Sequence, residues 1–457
     1  MAHDAQGNRA SFASDEAARA FDHMVEGFLK YRLDTPLRLE ATLQLDPQAP
    51  LPVMMKAGFA MLAYKAAHLP AAKAALDQAR KLGGNGRELM HLAALDAWAD
   101  GGQDRAIAIW ERIIAEHPRD ILAFRFHHFA AFWMGRAPAM WSAVEGIMPH
   151  WNGDVPGYGS ILACRAFANE EAGNLLLAEH AGREAIRRDP ADLWAAHAVA
   201  HVLEMQGRRA EGIAWITGLS PHFEGGNNLM HHISWHQAMF HLERGEHDEV
   251  LRLYDTGFRN LESPVTQMQP DLYIDCQNAA SMLFRLERQG VDIGARWEEL
   301  AEKAEARIGD CLSAFTLPHW MMALCATHRF EAAERMLAAL RDYAQANAGE
   351  NPRIVREAAL PCCEALLLRA RGQHAAAVAV MRPALGGMHE LGGSHAQQDV
   401  LEQLFLDCAM AAGSRPDAEL LLERVTGRWP TPPERRAGYH APAAAGIGIK
   451  LLASRQP

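Results

Sequence analysis

RELMHLAALDAWADGGQDRAIAIWERIIAEHPRDILAFRFHHFAAFWMG, residues 87–135, decides the fold. It reads as an apolar helix, a turn at Gly101, an amphipathic helix beginning near Ala106, a stop at Pro118, and a second apolar helix ending at Gly135. Glycine takes the left-handed conformation that ends a helix, and a small residue early in the following helix lets the pair pack closely. The stretch is therefore one helical hairpin and the first half of the next.

Working outward, the same signature recurs. A turn glycine is followed five residues later by a small residue at Gly101 and Ala106, Gly173 and Ala178, Gly207 and Gly212, Gly290 and Ala295, Gly372 and Ala377, and Gly413 and Ala418. Weaker copies lie at Gly135 with Met140 and Gly245 with Val250, and a glycine-free copy lies near Thr327 with Ala332. Successive spacings of 34, 38, 34, 38, 45, 37, 45 and 41 residues bracket the 34-residue tetratricopeptide unit. Pro118 and Pro190 each follow a small residue by 12 positions and stop the second helix of their units.

The reading is an all-α, right-handed superhelical solenoid of tetratricopeptide-like hairpins. Residues 1–85 are expected to hold atypical capping helices (14–31, 35–44 and 52–67, with a turn near Leu69), 86–429 the repeats, and 430–457 a Pro-rich break with a capping segment or tail. At 457 residues a single core is too large, whereas stacked repeats grow without that limit.

The net charge of -11 argues against a nucleic-acid partner, which requires phosphate neutralisation. No apolar run reaches membrane-spanning length and the N-terminus lacks an apolar leader core, so a cytoplasmic location without membrane contact is expected. Seven cysteines without CxxC spacing exclude a zinc ribbon, and adjacent Cys362 and Cys363 read as small core residues. LGGSHAQQD, 391–399, lacks a phosphate-loop arrangement and reads as a helix N-cap.

In stacked hairpins the first helices line the concave face. Counting each turn residue as position 15 places His197, His201 and Glu204 at positions 5, 9 and 12 of one unit, and His232 and His236 at 2 and 6 of the next. Each helix thus points two histidines, four residues apart, to one side. His91, Arg125, His128, His319 and Glu364 take groove positions in other units, and Trp235 and Asp275 complete the candidate set. Histidines at this spacing can hold a divalent transition metal, with His197, His201, His232 and His236 the candidate ligands, or place a base beside an acid. The same rings also serve as hydrogen-bonded packing, and no HExxH motif or other cofactor signature is present.

The run 87–135, followed in order by WAAHAVAHVLEM, HHISWH, YDTGF, SMLFRL, ALPCCEAL and LGGSHAQQDV, resembles the tetratricopeptide repeat protein 38 family over about residues 21–424. The resemblance implies a cytosolic tetratricopeptide fold, with His91, His128, His197, His201, Glu204, His232, Trp235, His236, Asp275 and His319 matching family positions; His395 departs from it. It implies no reaction. Two functional classes therefore stand: a scaffold that binds a protein or peptide through a histidine-rich concave groove, and an enzyme or small-molecule or metal-binding protein with a His/Glu/Asp-lined pocket. The groove lacks the Lys, Arg and Asn cluster that would clamp a carboxylate tail.

Overall fold

The computed structural model describes residues 2–346 and 348–440. The fold is all-α: beyond a two-residue antiparallel pairing of Ala2–His3 with Arg9–Ala10, the described residues form helices and turns. They fall into two compact units, one made of 218–230 and 349–351 with the chain up to 199, the other of 200–217, 231–348 and the chain from 352.

Each unit is a succession of tetratricopeptide-like hairpins, and one turn builds them. After the helix Gly86–Ala99, Gly101 adopts φ +82°; its amide donates to Trp98 O at 2.9 Å and the next amide to Ala97 O at 2.8 Å. These two bonds satisfy carbonyls the helix end would leave open and swing the chain back into the helix Gln103–Glu116. The same pair of bonds follows Gly135, Gly173, Gly207, Gly245, Gly290, Gly372 and Gly413, all with positive φ.

Three further turns use this geometry without glycine. His328, at φ 55°, occupies the left-handed position one residue after the expected Thr327, and its amide and that of Arg329 make the same two bonds. Tyr31 (φ 55°) does so between the helices Asp15–Leu29 and Thr35–Leu45. Tyr64 (φ 46°) turns the chain between Pro50–Leu62 and Leu69–Leu82, so Leu69 opens a helix where a turn was expected. Hairpins therefore begin well upstream of Gly101.

First and second helices differ in how they are buried. Ile121–Trp133, a first helix, buries every residue but Phe129, whereas Gln103–Glu116, a second helix, buries the stripe Ala106, Ile107, Trp110, Ile113 and Ile114 and leaves the opposite face polar. The small residues after the turns are buried as expected, except Ala295. There the chain makes a second left-handed step at Gly294 before the helix Arg296–Ala306, and Ile293 enters the core instead.

The prolines at 118 and 190 are each followed two residues later by an aspartate that caps the next helix. Asp120 accepts from Ala123 N at 2.9 Å and Asp192 from Ala195 N at 3.0 Å. Ser394 likewise caps His395–Ala411 in a reciprocal arrangement with Gln397. After the helix Arg415–Arg428 the segment to residue 440 packs into the second unit through Arg436 and Tyr439; the remainder of the expected tail lies outside the described residues. Among the described residues no helix is long and apolar enough to cross a membrane.

Candidate functional site

In the second unit, two successive first helices bring three histidines together. His201 and Glu204 come from Leu193–Met205, and His232, Trp235 and His236 from Leu229–Leu242. The His201 and His236 rings lie 4.4 Å apart between centroids and those of His232 and His236 4.8 Å apart. One ring nitrogen from each of the three lies within 4.8 Å of the others. Trp235 stacks on His232 at 5.4 Å with the planes only 9° apart.

Each of two rings is oriented from behind. His232 Nδ1 is 3.0 Å from Asn278 Oδ1, and His236 Nδ1 is 2.8 Å from Glu204 Oε2. An amide oxygen only accepts, so His232 Nδ1 donates to Asn278 and the His232 lone pair sits on Nε2, whereas one proton is shared along the bond between His236 Nδ1 and the Glu204 carboxyl. Burial holds the imidazoles neutral: it pushes His236 down to about 3, and burial with the neighbouring imidazoles pushes His201 well below the usual histidine range. His232 is displaced in the same direction by burial and by His236. Burial also pushes the Glu204 carboxyl up to about 8, opposed by Arg285 and reinforced by Asp399.

Around this centre lies a second polar layer that the sequence did not single out. Asp399 accepts from Arg436 and from Tyr439, each at 2.6 Å, and its other oxygen is 3.6 Å from Arg285. Glu204 also borders a cavity of about 20 Å³ with Arg209, Glu243 and Arg436, room for about one water.

The other candidates have local partners. In the second unit Asp275 accepts from His231 Nδ1 at 2.9 Å, His319 Nδ1 donates to Phe315 O at 2.8 Å, and Glu364 pairs with Arg341. In the first unit His91 Nε2 and Arg87 both reach Asp120 Oδ2, at 2.8 and 2.6 Å. Arg125 donates to Tyr31 and to Cys164 Sγ and lies against the rings of Phe129 and Trp194, at 4.2 and 4.8 Å. His128 packs edge-on to Trp194, and His197, one turn before His201 on its helix, packs on Phe167 and Trp194.

The histidines expected on an open groove are buried. His91, His128, His197, His201, His232, His236 and His319 are all at most 3% exposed, as is Arg125. First helices here are covered on nearly all sides, so the face on which spacing places these histidines is not open to an extended peptide.

No family model matches the chain. Among solved structures it is similar to a chain of Naa15/Naa10 bound to HypK-THB, at 12% identity over 90% of this chain and 63% of that one, with a TM-score of 0.23. It thus spans less than two thirds of that chain. It is also similar to yeast Tom70 (11% identity, 96% of each chain, TM-score 0.37) and to the P58(IPK) TPR domain (13% identity, 78% of this chain and 88% of that one, TM-score 0.18). The fold assignment rests on the chain's own helix pairs and turns.

Proposed function

We propose that this chain is a tetratricopeptide-like scaffold, acting in the cytosol as the resemblance to the tetratricopeptide repeat protein 38 family implies, and that it binds an apolar segment of another protein. The observation that carries the reading is a patch in the first unit. Leu175, Leu176 and Leu177 open the helix Leu175–Arg188, none is buried, and Leu176 is 84% exposed. An exposed leucine flanked by two half-buried ones makes an apolar patch that a surface facing only water does not need.

An exposed tryptophan stands beside them. Trp141 Nε1 and Asn174 Nδ2 both donate to Asn169 Oδ1, each at 3.2 Å, which holds the 41%-exposed Trp141 next to the start of the leucine helix. A rigid tryptophan flanked by aliphatic side chains is the usual anchor of a protein interface, and covering either large side chain contributes about 1.5–3 kcal/mol.

A photo-crosslinking residue at position 176 traps the partner, after which the purified pair is measured directly. Trp141→Ala and Leu176→Asp are expected to weaken binding at least about tenfold while leaving the melting temperature within a few degrees. A crosslinker that forms no protein adduct, or variants that bind as tightly as the parent, would remove the patch as the contact surface.

A further inference from the structure

The three converging histidines of the second unit have no role in a surface scaffold. His201, His232 and His236 are at most 2% exposed, come from two neighbouring helices, and bring ring nitrogens within 4.8 Å of one another. The rings of His201 and His232 each meet that of His236 edge to face, at 4.4 and 4.8 Å between centroids, which gathers three potential nitrogen donors. Asn278 and Glu204 fix His232 and His236 through Nδ1, which leaves Nε2 of each as the nitrogen on the opposite side of the ring; on His232, held by an amide oxygen, that nitrogen carries the lone pair. Such an outer partner on the far nitrogen, amide oxygen or carboxyl, is the arrangement that orients metal-binding imidazoles.

The geometry points to a metal site: we propose that His201, His232 and His236 bind one zinc ion, or a neighbouring late first-row divalent ion, with Asn278 and Glu204 as positioning residues. The donor set selects the ion. Neutral imidazole nitrogens suit zinc, cobalt, nickel and copper, whereas magnesium and calcium require oxygen ligands. Metal–nitrogen bonds of about 2.0–2.1 Å put tetrahedral ligand atoms roughly 3.4 Å apart, so closure about the ion asks for side-chain adjustments on the order of an ångström. The site is independent of the partner surface in the first unit.

The full-length protein, stripped with a chelator, is titrated with Co(II) by absorption spectroscopy and with Zn(II) against a chromophoric competitor. One equivalent per chain is expected, with visible bands of a nitrogen-rich, low-coordinate cobalt centre that zinc bleaches. His201→Ala and His236→Ala are expected to weaken binding at least about 100-fold, and Asn278→Ala about 10–100-fold, at unchanged helicity. Should the alanine variants fail to fold, His201→Gln and His236→Gln preserve bulk and polarity and carry the same expectation. Wild-type protein that shows no saturable uptake of one equivalent overturns the proposal whatever the variants do. Uptake that persists undiminished in folded histidine variants overturns it as well.

Discussion

Arg436 donates to Asp399 Oδ1 at 2.6 Å with both side chains buried, so a residue beyond the last long helix is held by one at the start of the preceding helix. Tyr439 donates to the same oxygen, and the Arg436 guanidinium lies 3.7 Å from the centroid of the Trp429 ring. Burial would raise the Asp399 carboxyl, but Arg436 and Arg285 outweigh it and hold the group below its usual range. Removing its charge leaves a buried guanidinium without its counterion, at about 3–5 kcal/mol, whereas removing the tyrosine hydroxyl forfeits one hydrogen bond, about 1 kcal/mol. Asp399→Asn is therefore expected to cost several times more than Tyr439→Phe in urea unfolding. Equal losses would show that the charge is not what secures the segment.

Gly212 faces the ring of Phe240, and a Cβ at that position would overlap three of its carbons. Gly101 is the opposite case: nothing lies within 4 Å of its would-be Cβ, but its φ is +82°. Alanine at either position is destabilising for a different reason. Gly212→Ala overpacks the contact, about 1–3 kcal/mol, and Phe240→Leu in the same chain should recover part of that loss. Gly101→Ala forces a left-handed alanine, on the order of 1 kcal/mol, and Phe240→Leu should not relieve it. Thermal unfolding of the four combinations separates steric from backbone strain.

The fold was legible where backbone geometry demanded one residue type. Most turns need the left-handed conformation, glycine supplies it, and the period appears. Tyr31, Tyr64 and His328 adopt the same conformation without glycine, so the repeat fades upstream of Gly101 although the hairpins continue. The convergence of His201, His232 and His236 was legible from i, i+4 spacing on neighbouring first helices. Their burial was not, because spacing gives a face but not the closeness of the next helix. Asn278, Asp399 and Arg436 escaped notice because their roles depend on partners distant in sequence, for instance 46 positions between His232 and Asn278.

All seven cysteines are buried. Burial pushes the thiols of Cys276, Cys311, Cys325, Cys362 and Cys408 up to about 12, and those of Cys164 and Cys363 upward as well. Thiolate is the reactive form, so neither access nor ionisation favours attack. A disulfide reagent at neutral pH is expected to label fewer than about one thiol per native chain within minutes, and every thiol once urea is added. Rapid labelling of one native cysteine would instead mark an opened or activated site.

Asp192 caps the helix that carries His201, accepting from Ala195 N, yet it is only 3% exposed. Burial outweighs the cap hydrogen bond and the attraction of Arg125, and with Asp189 nearby the carboxyl is pushed up to about 6. The folded chain therefore keeps this proton after the unfolded chain, titrating near 3.8, has released it. The stabilising contribution is complete below about 3.8 and is lost as the pH rises to about 6, with a total on the order of 3 kcal/mol. Asp192→Asn keeps an oxygen to accept from Ala195 N but cannot ionise, so the variant should gain stability relative to the parent between pH 4 and pH 7. Urea midpoints of both proteins across that range test it. A difference that stays constant with pH would mean the carboxyl ionises as freely in the folded chain as in the unfolded one, with the Ala195 and Arg125 interactions matching the cost of burial.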